Sequence, residues 1–384
     1  MRIGISAFKL VVGEYGGGKT HFLYCTRELA WQLRYAVSYV SLSPTECPFD
    51  KLELVYKSIV ANLSYPPSSL EELMSFHERG IEAVVRIWFE KISQEMKSEV
   101  RPQDELDEYL SGIKGFESIS FCNALKRSFL ALKNGNEQEF STLMQWLKGE
   151  EVDKSNYSEY GISESIDRAT AFRMIRSLAQ WIKTIGYSGL VLLFDEAERA
   201  LSVASRGSEK KALDNLRQLV DECGNTKFPS VMIFYAIPNT NQILEQRGEV
   251  YEALKQRLVG TFSRINPSGV KIDMENIELE PIEFMAEVGA RLGKIYNTAY
   301  SNSPLDDYVV KEAAKVLATA AYAERFVDIG YRRIFVKSFI EIMHLLVHTP
   351  GKRKITPDEA KQIVRGSIKG LEDGIKKESD EAEY

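Results

Sequence analysis

The sequence predicts an α/β fold built on a parallel sheet, and three observations predict it. A short apolar run rich in β-branched residues, Phe8-Lys9-Leu10-Val11-Val12, leads directly into a glycine-rich stretch and then into a helix-like pattern that reaches about Tyr35. Later, Leu190-Val191-Leu192-Leu193-Phe194 and Val231-Met232-Ile233-Phe234-Tyr235-Ala236 are unbroken apolar runs, as expected of strands buried on both faces. Segments with helical spacing separate these runs, and strands alternating with helices imply parallel pairing.

The glycine-rich stretch is Gly13-Glu14-Tyr15-Gly16-Gly17-Gly18-Lys19-Thr20, which fits G-x-x-x-x-G-K-[ST] without a mismatch. Strand, glycine loop and helix together are the context of a phosphate-binding loop. The glycines permit positive φ and bring backbone N–H groups close to a phosphate. The helix expected to start at Gly18 or Lys19 aims its N-terminal amides at the same anion. Lys19 would meet the β- and γ-phosphates, and Thr20 would offer a hydroxyl to Mg²⁺. A lysine at a helix N-terminus is electrostatically misplaced unless an anion sits there. The alternative is a glycine turn that binds nothing. His21 is counted with the loop, although a packed or solvated side chain is its more ordinary reading.

The first strand begins near residue 5, unusually early. ATPases of this kind place a linker before it that closes over the adenine, so either the chain starts short or the base is held from elsewhere. The helix over 19–35 is followed by a strand over 36–44, ended by Pro44, and by a helix from Asp50 to about Leu63 with Asp50 as N-cap. From Ser69 to about Gly149 the spacing is helical. Leu70, Leu73, Met74, His77, Ile81, Val84, Val85 and Trp88 form one run, and further runs cover 106–113, 121–132 and 140–147. An all-helical insertion over 65–160 is expected. A helix over 165–185 ends at Gly186, a suitable C′ residue. Helices over 208–223 and 249–259 flank the strand near 231–236, and Ile277-Glu278-Leu279 is expected as a fifth strand. From Pro281 onward the chain is helical, with a charged, frayed tail from Lys376 to Tyr384. The expected division is a core of 1–64 with 161–280, the insertion 65–160 and a C-terminal helical lid 281–384.

Asp195-Glu196 ends the third strand, and open α/β sheets bind ligands at the carboxyl ends of their strands. In this Walker B reading Asp195 holds Mg²⁺ and Glu196 acts as general base on the attacking water. An acidic loop after a core strand is the ordinary alternative. Asn239, after the next strand, would position the water, or else Pro238-Asn239 merely turns. Arg257 would reach the γ-phosphate of a neighbouring subunit, since guanidinium charge is permanent. A solvated helix arginine is the alternative. Arg333 would act on the same phosphate from the lid, with Arg332 able to serve instead.

Composition excludes several classes. Net charge is −6, so no chain-wide basic signature for nucleic acid exists, and Lys210-Lys211 and Lys352-Arg353-Lys354 are the compact basic groups. The four cysteines, Cys25, Cys47, Cys122 and Cys223, are scattered without a C-x-x-C pair. Neither a zinc site nor a disulfide framework follows, and a reducing, cytoplasmic compartment is expected. No run of ~18 apolar residues predicts a membrane span. An N-K-x-D motif for guanine and an L-S-G-G-Q signature are both lacking, which argues against a GTPase switch and an ABC-type ATPase.

The loop Gly13 to Leu23 is similar to that of a bacterial P-loop ATPase family, the BREX system ATP-binding protein family (BrxD-like). So are Trp146-Leu147-Lys148-Gly149-Glu150, Gly161-Ile162, Tyr187-Ser188-Gly189-Leu190, Asp195-Glu196-Ala197-Glu198 and Tyr251 to Leu258. The resemblance runs from about Lys9 to Phe339. It implies an AAA+-like (ASCE) P-loop NTPase with sheet order 5-1-4-3-2, a helical lid, Asn239 as sensor 1, Arg257 as arginine finger and Arg333 as sensor 2. It also implies ATP and Mg²⁺ as cofactors, and work in phage defence beside DNA, a helicase or other defence subunits. These residues and this resemblance are compatible with two functions. One is an ATPase driving assembly or remodelling. The other is a nucleotide-gated binding module that recruits partners with little turnover. Glu196 favours the first, because an inert switch needs no base. A finger acting in trans would require a homo-oligomer.

Overall fold

Among the described residues six strands form one sheet: β1 (Ala7–Val12), β2 (Ala36–Ser41), β3 (Leu63–Ser64), β4 (Leu190–Asp195), β5 (Val231–Ile237) and β6 (Lys271–Asp273), in the order β3-β2-β4-β5-β1-β6. This computed structural model describes residues 6–67, 79–97, 106–201, 205–224, 228–240, 249–258, 260, 269–276, 279–301, 304–324 and 330–382. β1 pairs in parallel with β5, β5 with β4, and β4 with β2. All six residues of β4 are buried, because a strand with parallel neighbours on both edges is covered on both faces.

The sheet differs from the expected five-strand order 5-1-4-3-2. The sixth strand is β3, two residues that pair antiparallel with β2 at the sheet's edge. Two residues are too few to show any period. The expected last strand over 277–279 falls partly on residues outside those described, and β6 instead lies at Lys271–Asp273.

By contact the chain divides into Met1–Val12 with Thr20–Ile272, and Gly13–Lys19 with Asp273–Tyr384. The first unit carries α1 (Lys19–Gln32), α2 (Leu52–Ala61), α3 (Ile81–Lys97), α4 (Leu106–Gly112), α5 (Ile119–Lys133), α6 (Glu137–Leu147), α7 (Ala171–Thr184), α8 (Ala197–Leu201), α9 (Arg206–Gly224) and α10 (Glu249–Leu258). One apolar core runs from Phe8 to Leu258. The helices between 81 and 147 share it. Trp88 of α3 meets Trp181 of α7 edge-on at 5.9 Å and Phe129 of α5 at 4.9 Å. The Trp146-Leu147-Lys148-Gly149 block is a docking element. Tyr56 Oη donates to the Leu147 carbonyl (2.7 Å), Trp146 Nε1 donates to the Glu164 carbonyl (3.0 Å), and Lys148 pairs with Glu82 (2.8 Å). Leu70, Leu73, Met74 and His77 lie outside the described residues.

Two expected helix boundaries move. The helix predicted over 165–185 begins at Ala171. Asp167 Oδ1 accepts from the N–H groups of Ala169 and Thr170, so a local side-chain turn replaces the first helical turn. Asp50 does not cap α2. The N-cap is Lys51, which makes no side-chain cap bond, and Asp50 is buried.

The second unit carries α11 (Pro281–Ala299), α12 (Asp307–Ala323), α13 (Tyr331–His348) and α14 (Pro357–Ala382) around a separate core from Met285 to Ile368. α14 continues as helix through most of the expected tail. Among the described residues no helix is long and apolar enough to cross a membrane, and Cys25, Cys47, Cys122 and Cys223 are free thiols.

Candidate functional site: a carboxylate at a strand end and a glycine loop

The carboxyl end of β4 delivers Asp195, only 3% exposed. Asp195 Oδ2 accepts from Thr20 Oγ1 and from Tyr39 Oη, each at 2.6 Å. Asp195 Oδ1 accepts from the backbone N–H of Glu196 at 2.9 Å. Parallel register sets Tyr39 of β2 opposite Leu193 and Ser41 opposite Asp195, so two polar residues spaced by two reach the β4 terminus. Tyr39 keeps its proton. Burial pushes its phenol above the ordinary range, and the hydrogen bond and charge of Asp195 push it further.

Glu196 holds φ at +54°, a left-handed conformation that costs a non-glycine residue about 1 kcal/mol or more. Its Oε2 accepts from Ser41 Oγ (3.0 Å) and pairs with Arg199 (3.2 Å). Thr20 and Asp195, 175 positions apart in sequence, are thus brought together by a contact within the first unit, with Glu196 adjacent to Asp195.

The glycine loop between β1 and α1 lies with the second unit. Gly16 (φ +76°) and Gly18 (φ +95°) take left-handed conformations that glycine adopts without a steric cost. Gly17 N–H donates to the Glu14 carbonyl (2.9 Å), closing the turn. A side chain at Gly17 would sit 2.8 Å from Glu275 Oε1, so the loop forms a cradle that a Cβ would fill. Lys19 Nζ donates to the carbonyls of Gly13 (2.7 Å) and Glu14 (3.2 Å) and lies 5.3 Å above the ring of Tyr15. Glu275 Oε1 accepts from the backbone N–H of Glu14 (3.1 Å), and Glu275 pairs with Arg332 (2.9 Å). Arg332 also donates to the carbonyls of Gly17 (3.2 Å) and Met274 (3.0 Å).

These contacts distinguish Arg332 from Arg333. Arg332 is bound to backbone and carboxylate, whereas Arg333 is exposed with its Cβ 3.1 Å from where a Cβ on Gly16 would stand. Gly330 packs its backbone on the loop: a Cβ there would meet the Tyr15 carbonyl oxygen at 2.1 Å.

Three sequence candidates remain. Asn239 is exposed, just past the end of β5. Arg257 of α10 is an ion-pair partner of Asp221 on α9, with Nη2 donating to Oδ2 at 3.2 Å. His21 is exposed, its Nε2 3.5 Å from Cys25 Sγ.

Among the described residues no group of three or more His, Cys, Asp or Glu is placed to hold a metal ion. Mg²⁺ needs none, since it takes hard oxygens, one or two carboxylates, several waters and substrate phosphates. The Thr20 hydroxyl and the Asp195 carboxylate fit that donor set.

Sequence reasoning passed over Tyr39, Ser41 and Glu275. The first two carried a signal, polar residues alternating with apolar ones at the carboxyl end of a strand. Glu275 carried none, because its partner is 261 residues away.

Comparison with known proteins finds no curated protein and no solved structure that matches the chain. A family model described as "BREX system ATP-binding protein BrxC/D" matches residues 1–359. With its glycine loop, strand-end carboxylates and most of its length matched, the chain belongs to the family of BREX system ATP-binding proteins BrxC/D.

Proposed function

We propose that the protein is a P-loop NTPase that binds Mg·ATP and hydrolyses it, driving an assembly or remodelling step in BREX phage defence. The observation that carries the reading is the 2.6 Å bond from Thr20 Oγ1 to Asp195 Oδ2. A hydroxyl of the first turn of α1 meets a strand-end carboxylate there, with Glu196 next in sequence. Loop amides and Lys19 would bind the phosphates. Thr20 and Asp195 would hold Mg²⁺, which when bound neutralises phosphate charge. Glu196 would take the proton of the attacking water, and Arg333, exposed beside Gly16, would meet phosphate charge from 281–384 acting as a lid. Arg257 could serve a neighbouring subunit only after leaving Asp221. Family membership points to other BREX subunits as partners.

One observation favours the second reading, a nucleotide-gated module with little turnover. Glu196 Oε2 already accepts from Ser41 Oγ (3.0 Å) and pairs with Arg199 (3.2 Å), so it has to leave these contacts before it can meet a water.

ATP turnover and ATP affinity of the wild type and of Glu196→Gln separate the two. Loss of a general base should lower turnover by about 10²–10⁴-fold while ATP affinity is retained. Turnover unchanged by the substitution would overturn the base assignment. A wild type that binds ATP without turnover would establish the gated module.

A further inference from the structure

We propose that Tyr39 is a positioning residue for the metal-holding carboxylate and sets the Mg²⁺ affinity of the nucleotide site. The proposal rests on the reading of Thr20 and Asp195 as the Mg²⁺-holding pair. Two hydroxyl groups, from Thr20 and Tyr39, converge on one oxygen, Asp195 Oδ2, at 2.6 Å each, while Oδ1 is fixed by the Glu196 amide at 2.9 Å. A carboxylate oxygen offers about two lone-pair sites, so these donors define the orientation of the group. A buried carboxylate left short of donors is costly.

The two hydroxyls are not equivalent. Thr20 belongs to the glycine-loop motif, and its oxygen is the one offered to the metal. Tyr39 comes from β2 and is not part of that motif. It stays a donor to Oδ2 when the Thr20 oxygen is engaged elsewhere. Its position is fixed by the β2–β4 register and by the ring of Tyr24, whose centroid is 5.1 Å away. Mg²⁺ tolerates little departure from octahedral geometry, so a carboxylate held in one orientation binds it better than a swinging one. Removing such an outer partner commonly costs 10- to 100-fold in metal affinity.

If Tyr39 served packing alone, its hydroxyl would matter to stability and not to metal. Tyr39→Phe keeps the ring against Tyr24 and deletes only the hydroxyl. The full-length wild type and this variant are titrated with a fluorescent ATP analogue across a Mg²⁺ series and in EDTA. Bound Mn²⁺ is followed by electron paramagnetic resonance as a second readout. The expected result is a rise of about 10-fold or more in the Mg²⁺ concentration for half-maximal binding, an altered Mn²⁺ spectrum, and unchanged affinity in EDTA. An unchanged Mg²⁺ midpoint overturns the role of Tyr39 alone. An equal loss of affinity with and without metal also overturns it, since that is general damage. A wild type that binds the analogue in neither condition overturns the nucleotide reading itself, and Tyr39 with it.

Discussion

Glu275 places a carboxylate on the glycine loop, accepting from the Glu14 N–H at 3.1 Å and pairing with Arg332. Loop amides are the donors a phosphate would use, and Coulomb repulsion acts between two anions that compete for them. Glu275→Gln removes the charge and releases Arg332 from its ion pair. Calorimetric titration should show ATP binding tightened by about fivefold, the scale of one partly exposed charge pair. Weaker binding would show that Glu275 supports the loop rather than competing for it. Glu196 is a second residue of note, with a positive φ of 54°. Its left-handed φ turns the chain immediately after Asp195, and its amide donates to Asp195 Oδ1.

Among the elements, α14 shows a boundary written in adjacent residues. Thr356-Pro357-Asp358-Glu359 is a capping box: Glu359 N–H donates to Thr356 Oγ1 (3.3 Å), and Glu359 Oε2 accepts from Thr356 N–H (2.9 Å). Lys352 pairs with the same carboxylate. The bond from Lys352, followed by those from Thr356, holds the Glu359 carboxyl down to about 2 from its ordinary 4.5. A depressed folded-state pKa gives stability that is present above 4.5 and lost as pH falls toward 2. Thermal melts of the wild type should therefore lose stability across that window. Glu359→Gln should show a smaller fall there, and an identical pH slope would refute the assignment. α13 begins differently. Gly330 at its N-cap makes no side-chain cap bond, and its lack of a Cβ lets the helix start approach the Tyr15 carbonyl.

At the scale of the whole molecule, the described residues form two apolar cores, and these predict how the chain unfolds. Phe335 and Phe339 stack at 5.7 Å in the core of 273–384, and both are fully buried. Phe335→Ala should cost about 3–5 kcal/mol in that core. Hydrogen exchange should then speed up through α11 to α14 while the amides of β1, β4 and β5 keep their protection. A uniform loss of protection across both cores would show a single cooperative unit. The helices between 81 and 147 belong to the sheet's core through Trp88 and Trp181 and should keep protection together with it.

The sequence by itself determined the glycine loop, the buried strands β1, β4 and β5, and the acidic pair at the end of β4. Each depends on neighbours along the chain: residue type, period, and the backbone freedom of Gly16 and Gly18. It did not determine β3, which is too short to show a pattern, or the start of α7, where the Asp167 side chain displaces the helix. Tertiary structure alone decided what surrounds the two carboxylates. Tyr39 and Ser41 reach Asp195 and Glu196 because parallel register places β2 beside β4. Arg332 rather than Arg333 binds the loop backbone, and Arg257 pairs with Asp221, because packing chooses among arginines that look alike in sequence. The physical reason is range. Turns, caps and apolar periods act over a few residues, whereas a hydrogen bond between residues 156 positions apart exists only once the sheet has formed.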